Sequence, residues 1–169
     1  MEMLVFDIAG AEYAVDLRDI DEVLNMPALR QEPSAPSFLA GIFNLRGVLV
    51  PVVDILERLG KFRPPQPPPP PMTASGDAQS AYPIGTRVLI ASHAAEPGQP
   101  ITRFGVIMDH WVDFRQFEDD SYCHSVLQDS ATAPFINGAN VGENGLIQHI
   151  LVRHLLHDEE RQILAQLDL

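Results

Sequence analysis

Short apolar blocks separated by turn residues dominate the first 60 positions of the chain. The most pronounced pair lies at 38–45 and 48–54, where FLAGIFNL and VLVPVVD are joined by Arg46-Gly47. β-Branched and aromatic residues favour the pleated backbone of a strand, and Gly47 readily adopts the positive φ of a tight reversal. The pattern predicts a buried hairpin over 38–54, and Asp54 is well placed to cap a short helix after it.

The second half shows the same short blocks and then changes period. Strands are predicted at 87–93, 101–108, 112–117 and 146–150. Beyond 151 the apolar residues follow helical spacing, and the acidic run that begins at Asp158 suits a helix N-terminus. The residues on the apolar face are Leu156, Ile163, Leu164 and Leu167. The tail, 152–169, is therefore predicted to form a C-terminal helix.

An internal repeat relates the two halves. Phe38-Leu39-x-Gly41 recurs as Phe135-Ile136-x-Gly138, and Leu49-Val50 recurs as Leu146-Ile147, each 97 positions later. Upstream, Tyr13-Ala14-Val15 matches Phe104-Gly105-Val106 at an offset of 91. A constant offset over several motifs indicates two copies of one unit. The repeat predicts two similar β-barrels, the first within residues 1–60 and the second within 87–151.

A proline-rich segment separates the two copies. Seven of the fifteen prolines fall within 64–71, and a polar stretch rich in small residues follows. Such a segment cannot donate ladder hydrogen bonds or bury much apolar area, so 61–86 is predicted to be extended polyproline II passing into flexible coil. A spacer is the favoured interpretation, and a docking segment for a proline-recognising groove is the alternative.

Composition and charge exclude several classes of function. With 169 residues, 46% of them hydrophobic, the chain can bury one good core or two small ones. The net charge of −12 opposes binding to nucleic acid or to anionic lipid. No apolar run reaches the roughly 20 residues needed to cross a bilayer, and no signal peptide is recognisable. A cytoplasmic location is expected, and the single Cys123 excludes an intramolecular disulfide framework.

Arg46 is the unusual residue of the predicted hairpin. A permanent charge between two apolar strands must reach water, a carboxylate or a partner protein. It has a structural interpretation, in which it bridges to Glu22 or Asp54, and a functional one, in which its guanidinium binds a partner carboxylate. The sequence leaves both open.

The hairpin closely resembles the core signature of the CheW-like domain, the non-enzymatic adaptor of bacterial chemosensory arrays. The matching positions are Gly41-x-x-Asn44-Leu45-Arg46-Gly47-Val48-x-Val50-Pro51-Val52-Val53-Asp54. Leu4-Val5-Phe6 with Glu12-Tyr13-Ala14-Val15 resembles that family's opening hairpin, and Ile20-Asp21-Glu22-Val23 resembles its short helix. The resemblance implies a mainly β fold, with two small five-stranded SH3-like β-barrels packed together, in a single CheW-like domain over 1–169.

The same resemblance implies partners and site residues. A groove between the barrels would take the cytoplasmic tip of a chemoreceptor, a methyl-accepting chemotaxis protein. Barrel surfaces would pair with the regulatory domain of a CheA-type histidine kinase, in arrays associated with membrane receptors. The partner-binding candidates are Glu22, Asn44, Arg46, Gly47 and Val48. Trp111 and Phe114 either fill the core or line the groove.

No residue is assigned to catalysis, to a cofactor or to a metal. His149, His154 and His157 invite a zinc hypothesis, but no cysteine pair or His-Glu-x-x-His motif accompanies them. Cys123 and His124 are adjacent, so their side chains point apart and do not form a nucleophile and base. The rival to the adaptor is a small-molecule or peptide-binding double-barrel sensor unrelated to chemoreceptor arrays. A hydrolase ranks far lower, since no catalytic motif is present.

Overall fold

A computed structural model describes residues 1–8, 10–31, 35–60, 82, 85–93, 102–108, 110–118, 122–123 and 135–166. Within these ranges the protein is mainly β, as predicted from the sequence. The strands are β1 (Glu2–Ile8), β2 (Ala11–Asp16), β3 (Glu22–Asn25), β4 (Leu39–Leu45), β5 (Val48–Asp54), β6 (Arg87–His93), β7 (Thr102–Met108), β8 (His110–Gln116), β9 (Tyr122–Cys123), β10 (Ile136–Gly142) and β11 (Gly145–Ile150). The α-helices are α1 (Ile55–Arg58) and α2 (Asp158–Gln166).

The strands form two sheets. Sheet A has six strands in the order β8-β1-β2-β11-β10-β9, and sheet B has five in the order β3-β6-β7-β5-β4. Each sheet contains one parallel pair, β2 with β11 in sheet A and β5 with β7 in sheet B. The prediction of two sheets is confirmed, and the two-residue β9 makes sheet A one strand larger than predicted.

The internal repeat reappears in the pairing of the strands. Exchanging β1 and β2 with β6 and β7, β3 with β8, and the β4–β5 hairpin with β10–β11 turns the order of sheet A, without β9, into that of sheet B. The registers agree as well, because the parallel pair His149 and Ala14 in sheet A matches Val52 and Gly105 in sheet B. Positions related by this exchange are called equivalent below.

The sheets do not coincide with the two predicted barrels. The β1–β2 hairpin lies between β8 and β11, and the β6–β7 hairpin lies between β3 and β5. The predicted division into 1–60 and 87–151 therefore differs from the observed one, because each sheet takes strands from both halves of the chain. A repeat in sequence identifies similar strands but does not say which copies pair. Most of the predicted insert, 61–86, lies outside the described residues.

Among the described residues, one apolar cluster joins the two sheets and two smaller clusters lie within a single sheet. The largest joins both sheets and includes Leu4 and Phe6 of sheet A with Phe104 and Val106 of sheet B, all at most 1% exposed. A second cluster uses strands of sheet B only, and a third uses strands of sheet A only. Burial of apolar area on this scale is the main favourable term in folding.

The C-terminal helix is shorter than predicted. A 3-10 turn over Val152–His154 comes first, and α2 begins at Asp158. Leu164 is buried in the main cluster as expected, whereas Ile163 is 40% exposed. Leu167 lies outside the described residues. Arg58 of α1 donates to Glu160 of α2 at 2.8 Å, which joins the two helices through an ion pair that is largely shielded from water.

Candidate functional site

The turn between β4 and β5 places the side chain of Arg46 at an exposed hairpin tip. Arg46 and Gly47 both adopt positive φ, 51° and 87°, as a two-residue hairpin turn requires. Glycine adopts this conformation easily, but a long side chain does so at some cost. Asn44 supports the turn, since its Oδ1 accepts the N–H of Gly47 at 2.7 Å. Three predicted site residues thus meet at the tip of one hairpin.

The guanidinium of Arg46 forms two hydrogen bonds with the carboxylate of Glu22. Nη1 donates to Oε1 at 3.0 Å, and Nη2 donates to Oε2 at 2.7 Å. Glu22 begins β3 at one edge of sheet B, while the hairpin carrying Arg46 forms the other edge. The ion pair therefore links the two edges of the sheet. Asp54, the other partner considered for Arg46, instead accepts the N–H of Leu56 at 3.0 Å, which confirms the predicted helix cap.

The pair is exposed, so its contribution to folding is small. The Arg46 side chain is 70% exposed and that of Glu22 is 29% exposed. Hydrogen bonds from Arg46 hold the pKa of the Glu22 carboxyl below its usual value. Ion pairs in contact with water contribute little stability. A guanidinium has five donors, and the remaining ones are available to a partner carboxylate.

Glu22 lies on a strand and not on a helix. The family resemblance suggested a short helix at 20–23, but the structure has a 3-10 turn over Leu17–Asp19 and then β3 from Glu22. The backbone explains the difference, because the Asp21 N–H donates to the Ile90 carbonyl at 2.8 Å and continues the β3–β6 ladder. Ser92 donates to Asp21, and Arg103 lies 3.9 Å from it. These contacts fix the position of Glu22.

An apolar groove opens beside the ion pair. It has a volume of about 210 Å³ and is lined by Val23, Leu24, Asn25, Arg87 and Phe114. Val23 is 36% exposed and Phe114 is 54% exposed. These two residues are equivalent, because Val23 pairs with Leu89 and Phe114 pairs with the matching Leu4. The groove therefore lies where the outer strands of the two sheets, β3 and β8, come together.

The predicted site residues fall into two neighbouring groups. Glu22, Asn44, Arg46 and Gly47 form the ion-pair cluster, and Val48 follows it as a 49% exposed residue of β5. Phe114 lines the groove and does not fill the core. Trp111 pairs with Phe6 through the backbone, and its side chain is outside the description.

Four groove residues were missed by the sequence analysis: Val23, Leu24, Asn25 and Arg87. A signal for Val23 was present, because it directly follows Glu22 in the segment that the family resemblance identified. Leu24 and Asn25 directly follow the segment that was assigned to a helix, and a helix would have sent these side chains in different directions. Arg87 lies on β6, which was predicted as a strand, but nothing in the sequence places it beside β3.

The structure separates the three histidines considered as zinc ligands, because one is buried and two are exposed. His149 is buried in β11, and burial lowers its pKa to about 4, whereas His154 and His157 are exposed. Within the described ranges, no three His, Cys, Asp or Glu side chains are grouped as a metal ion would require. In the same part of the chain, no helix is long and apolar enough to span a bilayer.

The described residues thus form a mainly β fold of two sheets, with an exposed ion pair and a groove where the outer strands of the sheets meet. A sequence profile described as CheW-like domain matches residues 2–160. The chain therefore belongs to the CheW-like domain family. The crystal structure of scaffolding protein TtCheW from Thermoanaerobacter tengcongensis has a similar fold, with a TM-score of 0.71 over 92% of both chains at 21% identity.

Curated relatives match over a shorter segment. Chemotaxis protein CheW of Klebsiella aerogenes is 33% identical over 54 residues, which are 32% of this chain and 32% of that protein. Chemotaxis protein CheW of Thermotoga maritima is 34% identical over 59 residues, which are 35% of this chain and 39% of that protein. The matched segments thus span about a third of the length of these relatives.

Proposed function

We propose that this protein is a non-catalytic adaptor that couples chemoreceptors to a CheA-type histidine kinase. The observation that carries the proposal is the groove between β3 and β8, which leaves Val23 and Phe114 exposed beside the Arg46–Glu22 pair. Membership of the CheW-like family and relatives named chemotaxis protein CheW support it. They favour the adaptor over an unrelated sensor module.

The groove suits the cytoplasmic tip of a chemoreceptor, which is a helical hairpin. Amphipathic helices bind by placing their apolar side chains in such grooves. Val23 and Phe114 supply apolar contact surface, while Asn25 and Arg87, which pair across β3 and β6, supply polar groups at its margin. Large exposed apolar side chains collected in one groove are typical of a binding surface.

The ion pair lies one residue before Val23 on β3. Successive strand residues point to opposite sides, so Val23 faces the groove while Glu22 faces Arg46. A receptor or kinase can bind without breaking the Arg46–Glu22 pair, because Arg46 is exposed and has N–H groups that Glu22 does not use. In this proposal the pair holds β3 in register for groove binding and offers one charged contact. Single contacts of micromolar strength suffice, because an array binds each adaptor to several partners at once.

The test is binding to a receptor-tip fragment and to a kinase regulatory domain, measured separately by calorimetry. Phe114→Ala and Arg46→Ala are expected to weaken binding of at least one partner about tenfold, roughly 1.4 kcal/mol. Arg18→Ala is the matched control, because Arg18 forms a comparable exposed two-ended pair with Asp16 away from the groove.

Two results would contradict the proposal. The first is a wild-type protein that binds neither partner at tens of micromolar. The second is normal binding by folded Phe114→Ala and Arg46→Ala variants, which would exclude the groove and the ion pair as the binding surface.

A further inference from the structure

The C-terminal helix α2 is anchored to the fold by a single apolar side chain. Leu164 is buried in the main cluster, while Ile163, the other large apolar residue of the helix, is 40% exposed. The segment just before the helix is held much more firmly, because Leu155 and Leu156 are both buried in the same cluster. The attachment of the chain therefore weakens abruptly where α2 begins.

The carboxylate of Glu160 makes two contacts that hold α2 in place. Its Oε1 accepts a hydrogen bond from Arg58 Nη2 at 2.8 Å, which ties α2 to α1. Its Oε2 accepts the backbone N–H of His157 at 2.8 Å, which caps the N-terminus of α2 as the glutamate of a capping box does. One side chain thus both starts the helix and fastens it to the rest of the protein.

A further contact of α2 is local along the chain. Arg161 donates to the carbonyl of Arg153, which lies in the 3-10 turn that precedes the helix. Arg161 also contacts Asp158 within α2 at 3.2 Å. Neither contact joins α2 to a strand, so Leu164 and Glu160 remain the residues that fix its position.

The ion pair of Glu160 is difficult to break one side at a time. The side chains of Arg58 and Glu160 are only 12% and 15% exposed, and the Arg58 guanidinium lies over the ring of Phe38, 5.4 Å from its centroid. Removing one partner of a shielded pair leaves an unpaired charge, which is strongly unfavourable. Moving the whole helix away exposes the charges to water together, so an all-or-none opening costs less than a partial one.

The helix cannot persist once it is released. Isolated helices shorter than about 12 residues are unstable in water, and α2 has nine. Opening removes the Leu164 packing and frees the Glu160 carboxylate from Arg58 in the same step. We therefore expect residues 158–166 to unfold together, and not to fray gradually from the C-terminal end.

We propose that α2 is a strap that opens as one unit while both sheets remain folded, and that Glu160 is the residue that keeps it closed. The sheets retain their strand ladders and the rest of the apolar clusters when Leu164 leaves. Arg58, shielded in the closed state, becomes available to water or to a ligand only in the open state. The residues that line the groove lie outside α1 and α2, so the strap does not depend on the adaptor proposal.

The experiment is hydrogen exchange of the full chain under native conditions, followed amide by amide by NMR. The amides of 161–166 should share one opening constant, at least about 100-fold larger than that of central-strand amides such as Phe6 and Val106. Opening constants that rise steadily from 161 to 166 would mean simple fraying. Constants equal to those of the strands would mean that α2 opens only when the protein unfolds. Either result overturns the proposal.

Substitutions at two neighbouring glutamates test the role of Glu160. Glu160→Ala should raise the shared opening constant of α2 at least about tenfold, because it removes the cap and the ion pair together. Glu159→Ala is the matched control, since Glu159 is exposed and the same substitution changes helix propensity equally. It should leave the constant within about twofold of the wild-type value.

A third variant separates the two contacts of Glu160. Arg58→Gln removes the ion pair but keeps the cap at His157, so its effect on α2 should be smaller than that of Glu160→Ala. The proposal is overturned if Glu160→Ala behaves like Glu159→Ala, or if it speeds exchange in the strands as much as in α2. Receptor and kinase binding are not measured in these experiments, so their outcome leaves the adaptor proposal standing.

Discussion

Apart from β9, sheets A and B have equivalent strand orders, the same parallel pairing and a register shift at equivalent positions, Leu39 to Gly41 and Ile136 to Gly138. Their interiors nevertheless differ in chemistry. In sheet B the interior cluster is aliphatic and aromatic, with Phe43, Val52 and Ile107 buried. In sheet A the equivalents are Asn140, His149 and Asp16. The backbone pairing is the same in both copies, while these three equivalent positions are apolar in sheet B and polar in sheet A.

The contrast suggests a division of roles between the sheets. Dense apolar packing in sheet B stabilises the molecule and positions the Arg46 hairpin, since Phe43 and Leu45 of β4 are buried beneath its tip. Sheet A is less densely apolar, and a cavity of about 580 Å³, larger than the groove, opens beside His149. If so, exchanging side chains between equivalent positions should have unequal effects in the two sheets.

The largest loss of stability is expected when Ile107 of sheet B is replaced by aspartate, the residue at the equivalent position 16 of sheet A. Ile107→Asp puts a carboxylate into a cluster where Ile107 is 0% exposed, and should lower the free energy of unfolding by about 4 kcal/mol or prevent folding. Urea denaturation measures the change. Ile107→Val, the size control, should cost only about 1 kcal/mol. Equal costs for the two variants would show that sheet B tolerates polarity.

A smaller effect on the free energy of unfolding is expected at Gly105, where the parallel strands β5 and β7 pair. A Cβ added to Gly105 would lie 2.8 Å from Val88 Cγ1 and 3.1 Å from Val52 Cγ2, whereas the equivalent Ala14 of sheet A already carries a Cβ. Gly105→Ala should therefore cost about 2 kcal/mol through overpacking. The double variant Gly105→Ala/Val52→Ala should recover part of that loss. A stabilising Gly105→Ala would contradict tight packing in sheet B.

The sequence was informative wherever structure is local. The β4–β5 hairpin, the cap at Asp54 and four strands of the second half follow from residue type and short-range spacing. The sequence did not predict that each sheet would combine strands from both halves of the chain. The β1–β2 and β6–β7 hairpins are similar, so either could pair with the strands of either copy. The groove was only partly predictable, because its walls come from β3, β6 and β8, which are distant in sequence. Phe114 was identified through the family resemblance, whereas Arg87 has no signal in the sequence.

His149 predicts a pH dependence of stability that its equivalent in sheet B, the aliphatic Val52, cannot contribute. Its pKa falls from 6.5 to about 4 on folding, so between these values the unfolded chain binds the extra proton. Stability is then full above pH 6.5 and declines as the pH falls towards 4. The loss should be roughly 2 kcal/mol, less than the full shift implies because the ring borders an open cavity. His149→Val, which installs the equivalent residue of sheet B, should remove this component from the pH profile of urea unfolding. An unchanged profile would assign the pH dependence to other groups.

The smallest effect concerns the hairpin tips. Glu22 and Arg46 of sheet B are equivalent to Asp113 and Glu143 of sheet A, so one hairpin is joined across its sheet by an ion pair and the other presents two acids. Glu143→Arg should create the missing pair and stabilise the protein by at most about 1 kcal/mol, because both groups are exposed. A double-mutant cycle with Asp113→Ala isolates the coupling.

That cycle also separates the two interpretations of Arg46. If the pair acts mainly in recognition, the new pair in sheet A should raise the unfolding midpoint slightly and leave receptor and kinase binding unaltered. Arg46→Ala should do the reverse, with little change in the midpoint and a clear loss of binding. A midpoint that falls sharply in Arg46→Ala, with binding restored once the protein is stabilised elsewhere, would instead make the pair a structural link between the edges of sheet B.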